Sequence, residues 1–446
     1  MASARRKGRP ITRPTSLRRR LRSTRPAAAL IGVVTAALIL APLIVGCAPG
    51  TTSTTGPTAH RPRIVNAQAF PAEQEPTYTF VAAPDFLNQD VGDLRTLPSW
   101  HRGDPNSWTP QLQHGIRRFL DEIASVRPGS VLVPGDLVEG RWGQDRLGTG
   151  IFGPVTTRAQ KERAVQRAAR FYYSTYLRRF EVRGLTLHAA LGDHEIGDNF
   201  WDHRSAWSDF KRREIGLFKE QFARHFTRLP SGKPRYQHRP VGTIWSDTAY
   251  AVHLSPDVLL VSLDEFHRRD GDVHLEVQGG QLRWLRATLK QARADGIPWV
   301  IVQGHNPVLM PVREVSSSGG HIEGGRRSAL WRTMARYGVD LYLNGEVHAT
   351  TMRQADGVTQ VSTGGLLYRG DATYLVARVF DDRIEMDVRE LAAERQGGKL
   401  WQTTGPRTLA RTRYLDRPSS SIGSLTLTSD GRALNQVGLL QAYDAR

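Results

Sequence analysis

Ser130-Val131-Leu132-Val133-Pro134-Gly135-Asp136 is a short apolar run that ends in a Gly-Asp turn, and the same design recurs along the chain. Residues 185–191 lead into Gly192-Asp193-His194-Glu195, residues 299–303 into Gly304-His305, and residues 339–343 into Gly345-Glu346-Val347-His348. A fifth run, 78–83, ends at Asp85. Apolar runs of this length, separated by amphipathic stretches, predict strands alternating with helices in a mostly parallel sheet. Parallel strands deliver their C-terminal residues to one edge, so groups distant in sequence converge there. The converging set holds carboxylates from Asp85, Asp136, Asp193 and Glu346 and imidazoles from His305 and His348. These donors suit hard or borderline metal ions.

Gly-Asp is a common turn dipeptide, and seven copies occur here, so no single copy carries meaning. The information lies in two of them directly following apolar runs, with two histidines closing later runs. Competing chemistries lack their residues. His194-Glu195 begins like the zinc-peptidase pattern His-Glu-x-x-His, but the fifth position is Asp198. Neither a Gly-x-x-x-x-Gly-Lys-Ser/Thr phosphate loop nor a Gly-x-Ser-x-Gly elbow is present.

In this order and spacing the clusters resemble the calcineurin-like metallophosphoesterase family, whose pattern runs Asp-x-His, Gly-Asp, Gly-Asn-His-(Asp/Glu), His, Gly-His-x-His. The resemblance spans roughly residues 78–390 and includes Gln281-Leu282-Arg283-Trp284-Leu285 and Leu263-Asp264, which look familiar in secreted members. It implies an α/β fold, a four-layer αββα sandwich of two mixed β-sheets flanked by helices. It also implies two divalent ions (Mn, Fe, Zn or Mg), with Asp136 bridging them. Asp85 and His348 would hold one ion; Asp193, His305 and Glu346 would hold the other. A pair of ions about 3.5–4 Å apart clamps a phosphate oxygen and lowers the pKa of a bridging water for in-line attack. His194 stands where the family has the residue that contacts phosphate and protonates the leaving alkoxide. Glu195 beside it is expected to orient that ring.

Three departures accompany the resemblance. Position 87 is Leu where the first motif has His, so Asn88, Asp90 or Glu139 is expected to complete that ion's shell. Asp193 replaces the usual Asn, and Glu346 the usual His. If both are ionised, the second ion faces two extra negative charges, which favours harder or more highly charged metals and weakens the pull on phosphate.

Residues 1–26 carry ten Arg or Lys and no acidic residue, and residues 27–46 are uncharged and mostly apolar. A basic region followed by an apolar core describes an export signal. The only cysteine, Cys47, follows Ile44-Val45-Gly46, which resembles a bacterial lipobox in which Cys47 is lipidated; the alternative is an uncleaved membrane anchor. Arg18-Arg19-Arg20-Leu21 faintly resembles a twin-arginine signal. Either way the bulk of the chain is expected outside the cell membrane, anchored to its outer face. With one cysteine, no internal disulfide holds the domain.

The formal net charge is +18, and ten of those charges lie in the signal region, which leaves +8. That moderate surplus suits an anionic phosphoester substrate or a solvated Arg-rich face, and it argues against nucleic acid as partner. A monomer is expected.

Residues 48–76, rich in Thr, Pro, Ala and Gly, read as a flexible tether. Residues 77–390 then form one catalytic domain. Within it, 156–180 reads as a helix with Ala164, Ala168, Phe171, Tyr172 and Leu177 on one core face. Residues 199–245 are an insertion with a helix over 207–226, which either roofs the cleft or simply packs. The Ser316-Ser317-Ser318-Gly319-Gly320-His321 stretch is another candidate lip. Strands are predicted at 350–353, 358–362, 374–380 and 383–388, forming a second sheet with turns at Asp356-Gly357 and Asp381-Asp382. Residues 391–446 read as a polar, peripheral extension with an edge strand at 424–428.

These features predict a surface-anchored hydrolase of phosphate mono- or diesters. A non-catalytic metal- or phosphate-binding lipoprotein on the same fold is the alternative, motivated by Leu87, Asp193 and Glu346. A nuclease would require tight, salt-sensitive DNA binding, against which the modest charge argues.

Overall fold

A computed structural model describes residues 64–71, 74–83, 85, 90–198, 206–313, 319–365, 372–394 and 413–444. Cys47, Leu87, Asn88, Trp201, His203 and residues 316–318 lie outside them, as do the export signal and most of the tether. No helix among the described residues is long and apolar enough to cross a membrane.

Strands β1 (Tyr78–Ala82), β2 (Ser130–Val133), β3 (Leu187–Ala189), β4 (Tyr250–Ser255), β5 (Val258–Ser262), β6 (Phe266–Arg269), β7 (Asp272–Leu275), β8 (Trp299–Gln303) and β9 (Leu341–Asn344) are followed by β10 (Thr350–Ala355), β11 (Val358–Thr363), β12 (Thr373–Val379), β13 (Arg383–Glu390), β14 (Ala393–Glu394), β15 (Arg413–Tyr414), β16 (Ser420–Thr428) and β17 (Ala433–Gly438). The helices are α1 (Pro110–Ser125), α2 (Arg158–Glu181), α3 (Ala206–Arg213), α4 (Ile215–Phe222), α5 (Gly279–Ala294) and α6 (Ala329–Arg336). A seven-stranded sheet runs β17-β16-β13-β12-β1-β2-β3 and a six-stranded sheet runs β10-β11-β9-β8-β5-β4. In the first, β1-β2-β3 are parallel. In the second, β5-β8-β9-β11 are parallel.

Alternation along each strand explains the layers, because successive side chains point to opposite faces. On β1, Phe80 and Ala82 face the core between the sheets, whereas Val81 faces a helix-covered core with Val131 and Val133 of β2. On β8, Trp299 and Ile301 join that central core, while Val300 and Val302 pack under α5 and α6. Both faces of both sheets need apolar residues, which is why these strands read as continuous apolar runs. The result is the expected four layers, αββα.

Helix starts are encoded locally. Thr157 and Gln160 form a capping box at α2, each side chain bonding the other's backbone N–H. Thr109 caps α1 just before Pro110, whose fixed φ suits the first helical turn. On α2 the buried face is Ala164, Val165, Ala168, Ala169, Tyr172, Tyr173 and Tyr176. Phe171 and Leu177, expected with them, are only half-buried.

Three expectations are corrected. The predicted C-terminal strands do not make a sheet of their own. β10 and β11 extend the six-stranded sheet, and β12 and β13 pair onto β1 in the seven-stranded one. The strand expected at the edge, β16, is nine residues long and lies inside its sheet between β13 and β17. Leu425 and Leu427 drive this, since both are buried in the central core. The helix expected over 207–226 is broken at Glu214 into α3 and α4 and ends in a π turn at Ala223–Thr227. Phe218 and Phe222 of α4 join the core that also holds Tyr173 of α2.

Candidate metal centre

The parallel strands of both sheets end at one edge, and the loops that follow bring the acidic and histidine residues together. Asp136, Asp193, His305 and Glu346 form one buried group whose ligand atoms lie within 4.8 Å of one another, and Asp85, Asp136 and His348 form a second. Asp136 belongs to both. A third group, Asp193, His194 and Asp198, adjoins them.

Backbone conformation aims these side chains. Asp85 (φ 49°), Asp136 (φ 58°), Glu346 (φ 64°) and His348 (φ 56°) all sit in the left-handed region. That region is sparsely populated for residues with a Cβ and recurs at functional sites. Gly192 permits close approach, because a Cβ there would overlap the Asp136 backbone N and Oδ1. Gly140 (φ 69°) permits another, since a Cβ would overlap the His194 carbonyl oxygen.

His305 is fully buried and its Nδ1 lies 2.9 Å from the Pro134 carbonyl, so that nitrogen carries the donated hydrogen. Nε2 therefore faces the carboxylates, 3.2 Å from Asp193 Oδ1, 3.3 Å from Asp136 Oδ1 and 3.4 Å from Glu346 Oε2. A carbonyl behind a ligating imidazole is the usual way such a ring is fixed. His348 Nε2 lies 3.7 Å from Asp85 Oδ1. Asp85 Oδ2 and Asp136 Oδ2 are buried with no hydrogen-bond partner. Buried carboxylate oxygens without donors are costly, and cations placed between them would satisfy both. The donor set therefore fits a metal pair.

His194 is buried beside this group, with Nδ1 2.7 Å from the Glu139 carbonyl. Its Nε2 is 3.7 Å from Asp136 Oδ2 and 3.6 Å from Asp198 Oδ1. Burial alone would lower its pKa, but Asp136, Asp198, Asp193 and Glu139 outweigh it and hold the imidazolium well above its ordinary range.

Glu195 does not orient that ring. Its fully buried carboxylate accepts from the backbone N–H of Asp136 (2.8 Å), Gly192 (2.8 Å) and Leu137 (2.9 Å), fastening the two Gly-Asp loops to each other. Asp90 and Glu139 belong to none of the ligand groups. Asp90 accepts from the N–H of Glu139 and Gly140 and from Trp142 Nε1, and thereby holds the 139–142 turn. Glu139 Oε1 lies 3.2 Å from Arg141 Nε. Of the described His, Cys, Asp and Glu residues, only Asp85, Asp136 and His348 make up the second ligand group.

Two residues escaped the sequence reading. Glu265, fully buried, accepts from the N–H of His305 (2.9 Å) and Asn306 (2.7 Å) and from the Tyr342 hydroxyl, so it positions the His305 loop. Asp198 bridges His194 and Arg141. Glu265 does follow the apolar run of β5 and Leu263-Asp264, but without the Gly turn of the other clusters, and Asp198 follows no apolar run. The familiar Leu263-Asp264 and Gln281 signatures are structural: the Gln281 amide bonds the N–H and carbonyl of Asp264, locking α5 to the end of β5. In the insertion, α4 packs against the core, and Lys211 Nζ donates to the Gly197 carbonyl at 3.2 Å, buttressing the loop after His194. From the 316–321 lip, Gly320 N–H donates to Glu346 Oε1 at 3.0 Å.

Burial pushes Asp85 up to about 7, with Glu346 and Asp193 adding to the shift and His305 opposing it. Burial likewise holds Asp136 well above the carboxylate range. A raised carboxylate keeps its proton in the fold between its unfolded value, about 4, and its folded one. Metal-free stability is thus fully present below the lower value and is lost as pH rises through about 7. An ion displaces that proton, so the melting-temperature gain on adding Mn²⁺ should be larger at about pH 8 than at about pH 5.5. A gain unchanged across that range would contradict proton-coupled binding here.

A family model described as calcineurin-like phosphoesterase matches residues 92–349. An acid phosphatase of Aspergillus ficuum is 34% identical over 83 residues, which cover 19% of this chain and 12% of that protein. A solved structure of PhoD is 12% identical, with a TM-score of 0.50, over 84% of this chain and 74% of that one. A dimetal phosphatase from Danio rerio (13% identical, TM-score 0.42) covers 76% of this chain and 99% of its own, and a purple acid phosphatase from yellow lupin (13%, 0.43) covers 71% and 52%.

Proposed function

Because the chain belongs to the calcineurin-like phosphoesterase family, we propose that it is a metal-dependent hydrolase of phosphate mono- or diesters with His194 as the acid for the leaving group. The observation that carries this reading is the double membership of Asp136, which is shared by the Asp193/His305/Glu346 group and the Asp85/His348 group while His194 Nε2 stands 3.7 Å from its second oxygen.

Two divalent ions, when bound, supply a Lewis-acid clamp on phosphoryl oxygen and an activated water. The chain's own groups do the rest. Asp136 would be shared by both ions, with Asp85 and His348 on one side and Asp193, His305 and Glu346 on the other. Glu195 and Glu265 keep the ligand loops in register through backbone N–H groups. With Nδ1 committed to the Glu139 carbonyl, His194 carries its transferable proton on Nε2. Asp198 and Asp136 favour the imidazolium, which gives that proton to the departing alkoxide and becomes neutral.

A second reading has its own observation. Asp85, Asp136, Asp193 and Glu346 bring four carboxylates, enough to cancel the charge of two divalent ions and leave little attraction for phosphate. A metal- or phosphate-binding protein without turnover would then result. Metal analysis beside a screen of aryl phosphate mono- and diesters separates the two: turnover selects the hydrolase, and stoichiometric metal with no turnover under any added ion selects the binding protein.

We place the enzyme as a monomer at the outer face of the cell membrane, held by a lipid on Cys47; the basic and apolar residues preceding that cysteine support this. Cys47→Ala should shift the protein from the membrane fraction to an uncleaved or soluble form lacking the acyl mass. An unchanged mass and fractionation would remove the lipid anchor.

A further inference from the structure

Apart from the metal ligands, α1, α2 and the 93–96 turn line an open cavity of about 710 Å³. Its apolar wall comes from Ile116 and Leu120 of α1, Phe171 of α2 and Val182, which caps α2 and is 60% exposed. Its charge is one-sided. Arg117, Arg178, Arg179 and Arg183 line it, against the single lining carboxylate of Asp93, which is paired with Arg95; Arg183 is itself paired with Asp121 at 2.8 Å, which leaves Arg117, Arg178 and Arg179 as the surplus.

Arg179 is the anomaly. It is 9% exposed, its Nη2 donates to the Val91 carbonyl at 2.8 Å, and its guanidinium lies 5.0 Å from the Trp108 ring centroid. Its Nη1 is buried with no hydrogen-bond partner, and no carboxylate pairs with it among the described residues. Burial lowers its pKa to about 10, so it remains charged at neutral pH. Val91 and Trp108 solvate one nitrogen and one ring face but bring no negative charge. The C-terminal dipole of α2 contributes about half a charge at most. A buried cation left in that state is costly unless an anion approaches it; Nη1 is closed to solvent, so an anion in the cavity that Arg179 lines pairs with it once the guanidinium turns toward that space.

We propose that this cavity is a second binding site, separate from phosphoester chemistry, for an organic anion with a carboxylate or phosphate head and an aromatic or aliphatic body. The head pairs with Arg179 and Arg178, and the body lies on Ile116, Leu120 and Phe171. A cavity of this size matches those that hold small organic ligands.

The test uses the metal-loaded full chain in phosphatidylcholine nanodiscs, titrated calorimetrically with 2-naphthoate and with neutral 2-naphthamide. Saturable binding of one naphthoate per chain is expected, with the amide weaker by at least about tenfold, since one charge-assisted hydrogen bond is worth that much. Arg179→Met should weaken naphthoate by a similar factor, and Thr175→Trp, which fills the space from the half-buried face of α2, should abolish it. Phosphoester turnover should be unchanged in both variants. Absence of saturable binding, or equal binding of acid and amide, would overturn the proposal. The second comparison needs no variant, so it decides the matter even if Arg179→Met fails to fold. Replacing phosphatidylcholine with anionic phospholipid distinguishes the source: loss of naphthoate binding there assigns the head group to a membrane lipid, and unchanged binding assigns it to a soluble anion.

Discussion

Asp136→Asn is expected to lose both metal ions and, with them, phosphoester hydrolysis. Altering a residue that merely orients a ligand costs about 10–100-fold in metal affinity, so removing the anionic ligand common to both groups should cost more than about 100-fold at each. The fold should survive. Asp136 occupies the left-handed region at φ 58°, which Asn tolerates as well as Asp does. The metal-free variant should even melt at or above the metal-free parent, because the lost group is a buried carboxylate crowded by Asp193 and Asp85. Elemental analysis, turnover and melting temperature measured together make this decisive. Full metal content in the variant would show that Asp136 does not join two ions, and the hydrolase proposal would fall with it.

His194→Ala should separate chemistry from metal binding. The side chain leaves the Asp136, Asp193, His305 and Glu346 group intact, so metal content should match the parent. Turnover should fall by about 10²–10⁴-fold if the imidazole supplies the leaving-group proton. The loss should be greatest for alkyl esters, whose alkoxides need that proton, and smallest for nitrophenyl esters, whose phenolates leave unaided. A uniform loss across leaving groups would reassign His194 to phosphate binding, and an unchanged rate would remove it from the mechanism.

The central strands were legible because strands packed on both faces must be apolar throughout, and such runs stand out between amphipathic helices; β4, β6, β7 and β17 were not read from the sequence. The convergence of the candidate ligands was legible because each follows one of those runs, and parallel topology brings the run ends together. Partner choice was not. Residues 373–379 and 350–355 look alike as alternating strands, yet the first pairs with β1 some three hundred residues earlier and the second extends the other sheet. Nothing in a strand's own pattern states which edge will accept it.

The same limit explains the site residues that read differently in the fold. Asp90, Glu139 and Glu195 have the chemistry of ligands or catalytic groups, but their carboxylates are turned toward backbone N–H groups or Arg141. Glu265, just beyond β5, and Asp198, in the same loop as Asp193, reach the site through that loop geometry rather than through a motif of their own. The break at Glu214 likewise carries no local mark; beyond it α4 turns Phe218 and Phe222 into the core beside Tyr173.

The sequence by itself determined the layered α/β class, the place of the central strands along the chain and the identity of the side chains at their tips, because hydrophobic period and turn chemistry act over a few residues. Only the tertiary structure decided which carboxylates face one another across a few ångströms, which serve the backbone, and which arginine is buried with no counterion among the described residues. Those outcomes depend on side-chain direction and on contacts between segments hundreds of residues apart, where local pattern exerts no force.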